Sequence, residues 1–164
     1  MAMITAVVSA RGSVEALGVT LSALVAGVAD GLIGDAVIVS PVSAPAIDRV
    51  ADAVGAVLIV TGDNPWRRGA EKARRDWILC LDAGDVPSEG WLRTLERFMA
   101  RCPPDRRFGR LKRRSAGPLE RLTAYLSREV RAGDLIHRAL LTAKGPLVHP
   151  IRLSAVLDRD ILAG

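Results

Sequence analysis

Two carboxylates three residues apart, Asp82 and Asp85, follow the apolar run Trp77-Ile78-Leu79-Cys80-Leu81 and precede Val86-Pro87. An apolar strand that delivers carboxylates at its carboxyl end offers hard oxygen ligands to a divalent cation, manganese or magnesium, which can hold and neutralise a diphosphate. The same residue types also build turns. Asp82 can close one, and Asp85 or Ser88 can cap a helix that starts near Glu89. Arg68 is a candidate for a diphosphate contact, against the alternative of a solvated helix start. His149, beside Pro150, is either a general base working near neutral pH or a surface residue. Other chemistries lack their residues. Arg11-Gly12 stands alone after the first apolar run, with no Gly-x-Gly-x-x-Gly and no Walker-type phosphate loop anywhere. No Ser is framed as a nucleophile elbow, and neither His137 nor His149 has an evident Ser or Cys partner, so a hydrolase triad has no support.

The elements that must position these residues are legible as a recurrence. Ile4 to Ser9 reads as a strand, and Ser13 to Val28 as a helix with Val14, Leu17, Leu21, Leu24, Val25 and Val28 on one face. Ser13 is its candidate N-cap. Ala36 to Val39 is a second strand, Ala46 to Val54 a helix, Val57 to Val60 a third strand, Arg67 to Arg75 a helix, Trp77 to Leu81 a fourth strand and Glu89 to Arg101 a helix. Continuous rather than alternating apolar strands, joined by helices, predict a parallel sheet covered on both faces. Ligands of such sheets bind at the carboxyl ends of the strands. The loops to inspect are therefore Ser9 to Ser13, Ser40 to Ala44, Thr61 to Arg68 and Asp82 to Ser88. Beyond Arg101 the pattern weakens: a basic strand from Phe108 to Arg114, a helix from Leu119 to Arg131, a turn at Gly133-Asp134, and a last helix from Ile151 to about Ile161.

The chain has 164 residues, 49% of them hydrophobic, which is the scale of one domain with a real core. Only six residues are aromatic, so stacking platforms for bases are scarce and no specific nucleic-acid partner is expected. The net charge of +5 is regional. From Arg101 to Arg138 there are 11 Lys or Arg against 4 Asp or Glu, a balance of +7 that leaves −2 for the rest. This segment is either a solvated face or a contact for phosphate or another anionic surface. The longest early apolar stretch, Ala16 to Ala29, is too short to span a bilayer. Met1 to Ser9 has no basic flank of a secretory signal, so a cytoplasmic location is expected. Cys80 and Cys102 have no metal-ligand spacing around them and are expected to be free thiols.

The stretch from Arg68 to Leu92, with Gly69-Ala70 on a helix, an apolar strand, Asp82-Ala83-Gly84-Asp85 and Pro87-Ser88-Glu89-Gly90-Trp91-Leu92, resembles the core of family 2 glycosyltransferases of the GT-A fold. Gly133-Asp134-Leu135-Ile136 with Arg138, Leu141 and Gly145 is similar to the acceptor-side segment of those enzymes. Pro146 to Ser154 is similar to the segment in which they place a Glu-Asp pair that supplies the base. The resemblance implies a Rossmann-like α/β sandwich, with residues 1–101 as the nucleotide-sugar-binding half and 102–164 as a compressed acceptor-side half of the same domain. It implies a nucleotide-sugar donor held near Ser9, Arg11, Ser40, Arg68 and Asp82, and a divalent cation, manganese or magnesium, on Asp82 and Asp85. The base would be His149 or Asp134, and the acceptor an unknown sugar or lipid. Three positions depart from the family's pattern: Gly84 in place of the second carboxylate, Ser40-Pro41-Val42-Ser43 in place of an acidic loop, and His149-Pro150 in place of the Glu-Asp pair. The expectation is therefore a glycosyltransferase-like protein with weak or absent turnover. Its alternative is a catalytically inactive binding or scaffolding domain.

Overall fold

The computed structural model describes residues 3–114 and 116–160. Its centre is an eight-stranded sheet in the order β3-β2-β1-β4-β7-β6-β8-β5. Strand β1 (Ile4–Ser9) is buried along its whole length and pairs in parallel with β2 (Ile33–Ser40) and β4 (Trp77–Asp82); β3 (Val57–Val60) pairs in parallel with β2. These are the four strands the aliphatic runs predict. The hydrophobic side chains of the inner ones face both ways because helices cover both faces.

On one face, α1 (Val14–Ala29), α2 (Pro45–Val54) and α4 (Trp91–Arg101) pack Leu17, Leu24, Ile47, Ala51, Leu95 and Phe98 against the sheet. On the other lie α3 (Pro65–Lys72) and the short α6 (Arg138–Thr142) over Val7, Val37, Ile78 and Ile136. Ser13 caps α1, its hydroxyl accepting from the Ala16 N–H at 3.1 Å. The buried stripe of α1 is rotated from the expected one: Ala16, Leu17, Thr20, Leu24 and Gly27 face inward, whereas Val25 and Val28 are exposed. Helix α3 starts at Pro65 rather than Arg67, because the Asn64 side chain accepts from the N–H groups of Trp66 and Arg67, and it ends at Lys72 rather than Arg75. Gly69 lets this helix lie on the sheet, for a Cβ there would come within 2.4 Å of Val7 Cγ1.

After α4 the sheet continues with mixed direction. Strand β6 (Phe108–Arg113) and β7 (Asp134–His137) pair antiparallel, and β7 joins the parallel half by pairing antiparallel with β4. Between them α5 (Pro118–Leu126) replaces the longer helix expected to Arg131. The last element, β8 (Ile151–Arg159), is a strand and not the expected helix, whose end at Ile161 lies outside the described residues. It pairs in parallel with β6 and antiparallel with β5 (Asp85–Pro87). The reason is visible in the burial. Leu153, Ala155 and Leu157 are buried while Arg152 and Ser154 are exposed, an alternation of period two that fits a pleated strand.

Candidate functional site

Strand β4 ends with Asp82 directly opposite Ser9 of β1, at the carboxyl edge of the parallel half. The chain then reverses within Ala83-Gly84, where Gly84 has φ +98°, a value that L side chains rarely adopt. Buried Thr20 of α1 locks this turn. Its hydroxyl donates to the Asp85 carbonyl at 2.9 Å and accepts the Gly84 N–H at 2.8 Å. The Ala83 N–H donates to the Ser9 carbonyl at 2.9 Å, tying the turn to β1. Thr20 was not singled out from the sequence; the signal was a polar residue on the inward stripe between Leu17 and Leu24.

The two carboxylates of the turn have different fates. Asp85 is fully buried. It takes a forked contact from Arg113, at 2.9 and 3.0 Å, and accepts the Asp82 N–H at 2.8 Å. Its oxygens are engaged in holding β6 and the turn together, and Asp85, expected as a metal ligand, does not line the cavity that Asp82 lines. Asp82 is half-buried and lines a cavity of about 580 Å³ formed by β6, α5, β8 and the segment around Arg131. Burial and the neighbouring Asp85 push the Asp82 carboxyl above its ordinary range, while Arg113, Arg159 and Arg11 oppose the shift.

Asp134 is equally sequestered. Arg110 donates to it from Nε at 2.6 Å and Nη2 at 2.9 Å, and the Arg131 N–H adds a third bond at 2.9 Å. Arg110 also donates to the carbonyls of Ala124, Ser127 and Glu129, so one buried guanidinium ties α5 and the following loop to the sheet. Burial pushes the Asp134 carboxyl up, and the hydrogen bonds and charge of Arg110 counter it. Asp134, expected as a candidate base, thus has both oxygens engaged and is buried as an anchor between β6 and the loop before β7. His149 is exposed, and its Nε2 accepts from Arg128 Nε at 3.0 Å in a separate shallow groove with Arg106, Pro146 and Leu147. Its neighbour Pro150 lines the Asp82 cavity, but His149 is not among the residues that do, so the structure does not bring the two together.

The other expected ligand residues lie along the same sheet edge. Ser9 and Ser40 end β1 and β2 and are buried; the Ser40 hydroxyl donates to the Val42 carbonyl at 2.6 Å and shapes the following loop. Arg11 is exposed beyond β1, and Arg68 is exposed on the first turns of α3, paired with Glu71 at 2.8 Å. Arg110 and Arg113 were read from sequence only as part of a basic stretch; their ion pairs with Asp134 and Asp85 make them the framework of the site.

A divalent cation does not fit the residues present. Only one carboxylate of the turn faces the cavity, Gly84 supplies none, the other carboxylate, Asp85, is taken by Arg113, and the charges of Arg159 and Arg11 also act on Asp82. Among the described residues no group of three His, Cys, Asp or Glu is placed to hold a metal.

Sheet order, helices on both faces and an aspartate closing β4 at the carboxyl edge fit the GT-A fold, and the comparisons with solved structures agree on that fold. No protein-family profile and no curated protein matches the sequence. Solved structures do. Glucosyl-3-phosphoglycerate synthase from Mycobacterium tuberculosis, in complex with Mn2+ and UDP-glucose, superposes with a TM-score of 0.64 at 17% identity over 91% of this chain and 60% of its own. Mannosyl-3-phosphoglycerate synthase from Rubrobacter xylanophilus gives 0.64 at 18% identity, over 85% and 54%. S. aureus TarS 1-349 in complex with UDP-GlcNAc gives 0.59 at 13% identity, over 85% and 46%. At such identities the likeness is one of fold, and this chain spans about half to three fifths of the length of those proteins.

Proposed function

We propose that this chain is a glycosyltransferase-type protein that binds a nucleotide-sugar along the carboxyl edge of β1, β2 and β4, with Ser9, Arg11, Ser40, Arg68 and Asp82 around the nucleotide. In this reading residues 1–101 carry the donor side, and 102–164 build the wall toward which the sugar and its acceptor, a sugar or lipid of unknown identity, are directed. The observation that carries it is the position of Asp82, opposite Ser9 at the strand ends and on the rim of a cavity of about 580 Å³, a volume suited to a small ligand. The structural neighbours crystallised with UDP-glucose and UDP-GlcNAc support the donor class. The Mn2+ of the mycobacterial complex would meet a single carboxylate here, so donor binding is expected without it. Two unbridged cysteines are consistent with a reducing, cytoplasmic setting.

A second reading, a binding or scaffolding domain without turnover, is favoured by one observation: Asp85 and Asp134 are locked in ion pairs and His149 points into another groove. Calorimetric titration with a panel of nucleotide-sugars, paired with an assay of nucleotide diphosphate release, separates the readings. Binding with release supports the transferase, binding without release the scaffold. Failure of every nucleotide-sugar to bind refutes the transferase reading and leaves the scaffold.

A further inference from the structure

The cavity beside Asp82 is overwhelmingly cationic. Eight Lys or Arg side chains line it against two carboxylates, Asp82 and Glu120. Three of the eight are neutralised, Arg110 by Asp134, Arg113 by Asp85 and Arg114 by Asp158. Lys112, Arg121, Arg131 and Arg159 make no ion pair among the described residues. Unmatched charges of one sign around a concave site focus a positive potential into it. Solvation alone does not explain the arrangement. Arg131 is half-buried, and that burial, with the charges of Arg110 and Arg113, works against its own ionised form. An anion in the cavity would relieve this repulsion and complete the hydrogen bonding of guanidinium groups whose planar forks match phosphate oxygens.

We infer that this cavity binds a phosphate-bearing anion, a phosphomonoester or a diphosphate, directly on Arg131, Arg159, Arg121 and Lys112, and does so without a divalent cation. The inference rests on the nucleotide-sugar reading only for the source of the anion, either the donor's diphosphate or a phosphate carried by the acceptor. The geometry reverses the usual charge logic at the end of such a strand. Where a carboxylate pair would gather a cation to meet phosphate, one carboxylate is consumed by Arg113 and the arginines meet phosphate themselves.

Inorganic pyrophosphate is the probe, titrated calorimetrically into the full chain in EDTA and again with manganese. Binding in EDTA of similar strength to that with manganese is expected. Arg159→Gln, at an exposed strand position that leaves the core intact, is expected to weaken it about ten- to hundredfold, the worth of a lost charge-assisted contact. Arg131→Gln should do the same. Arg97→Gln, which removes one exposed charge from α4 outside the cavity, should leave it unchanged. Asp82→Asn supplies the opposite sign: removing one of the two negative charges on the wall should tighten binding. Pyrophosphate that binds only with manganese, that is lost in Asp82→Asn, or that weakens equally in Arg97→Gln overturns the inference. Uridine diphosphate added to the saturated protein then identifies the source. Displacement assigns the site to the donor diphosphate, and simultaneous binding assigns it to a phosphate-bearing acceptor. Pyrophosphate binding without any nucleotide-sugar binding would keep the arginine site and remove the donor reading; the reverse result would do the opposite.

Discussion

Gly84 stands where a second carboxylate would complete the acidic turn, and its φ of +98° is one that L side chains rarely adopt. A Cβ at this position would meet Ala16 Cβ only at 3.8 Å, so space is not the obstacle; conformation is. Gly84→Asp is therefore expected to destabilise the protein by roughly 1–3 kcal/mol, the cost of an unfavourable backbone region, and to confer no manganese binding. Urea denaturation and calorimetry check the two parts. At this scale the sequence showed which residues mattered better than what they did. Asp82 was legible as a strand-end carboxylate. That Asp85 and Asp134 are closed was not, because their arginine partners lie 28 and 24 residues away in the chain and only the folded sheet brings them together.

Among the elements, α5 is held chiefly through one side chain, since Arg110 satisfies three carbonyls at its carboxyl end as well as Asp134. Arg110→Met leaves a buried carboxylate unpaired, and a loss of roughly 3–5 kcal/mol in urea denaturation is expected. The double change Arg110→Met with Asp134→Leu should recover most of it; equal losses in both would refute the pairing as the cause. Helix α6 carries a pH dependence. His137 Nδ1 accepts the Ala139 N–H at 3.3 Å as the helix cap, and burial, with the charge of Arg107, holds its pKa below the ordinary 6.5. The folded state thus binds fewer protons than the unfolded one between the lowered value and 6.5, so stability is complete above that window and falls as pH drops through it. His137→Asn, which keeps a capping acceptor without titrating, should flatten the urea midpoint between about pH 5 and 7.5. A slope unchanged in the variant would assign the effect elsewhere. Strand β8 shows what element reading missed. Ile151 to Arg159 has enough aliphatic residues for a helix face, and what marks it as a strand is the period of two in which Leu153, Ala155 and Leu157 are buried while Arg152, Ser154 and Val156 are not.

At the scale of the whole molecule, the parallel half was legible because each strand is a short aliphatic run with a helix behind it, a pattern set by local sequence. Beyond it only β6 was legible, close to the strand expected from Phe108 to Arg114, since β5, β7 and β8 owe their existence to pairings across the sheet. Function follows the same division. On the proposed reading Asp82 is left facing the cavity at the strand ends, while Asp85 and Asp134 are held in ion pairs and His149 lies in another groove, and the loss of a general base alone costs on the order of 10² to 10⁴ in rate. Nucleotide diphosphate release from nucleotide-sugars is therefore expected to be slow, and His149→Ala should change nothing; robust release abolished by that substitution would restore His149 as a base. The claim that a nucleotide-sugar binds at the strand ends is tested most directly by mapping backbone amide shifts of the labelled protein on addition of each nucleotide-sugar. The account predicts that one of them perturbs residues 9–13, 40–44, 61–68 and 82–85 together. Shifts confined to other surfaces, or none with any nucleotide-sugar at saturating concentration, would contradict it.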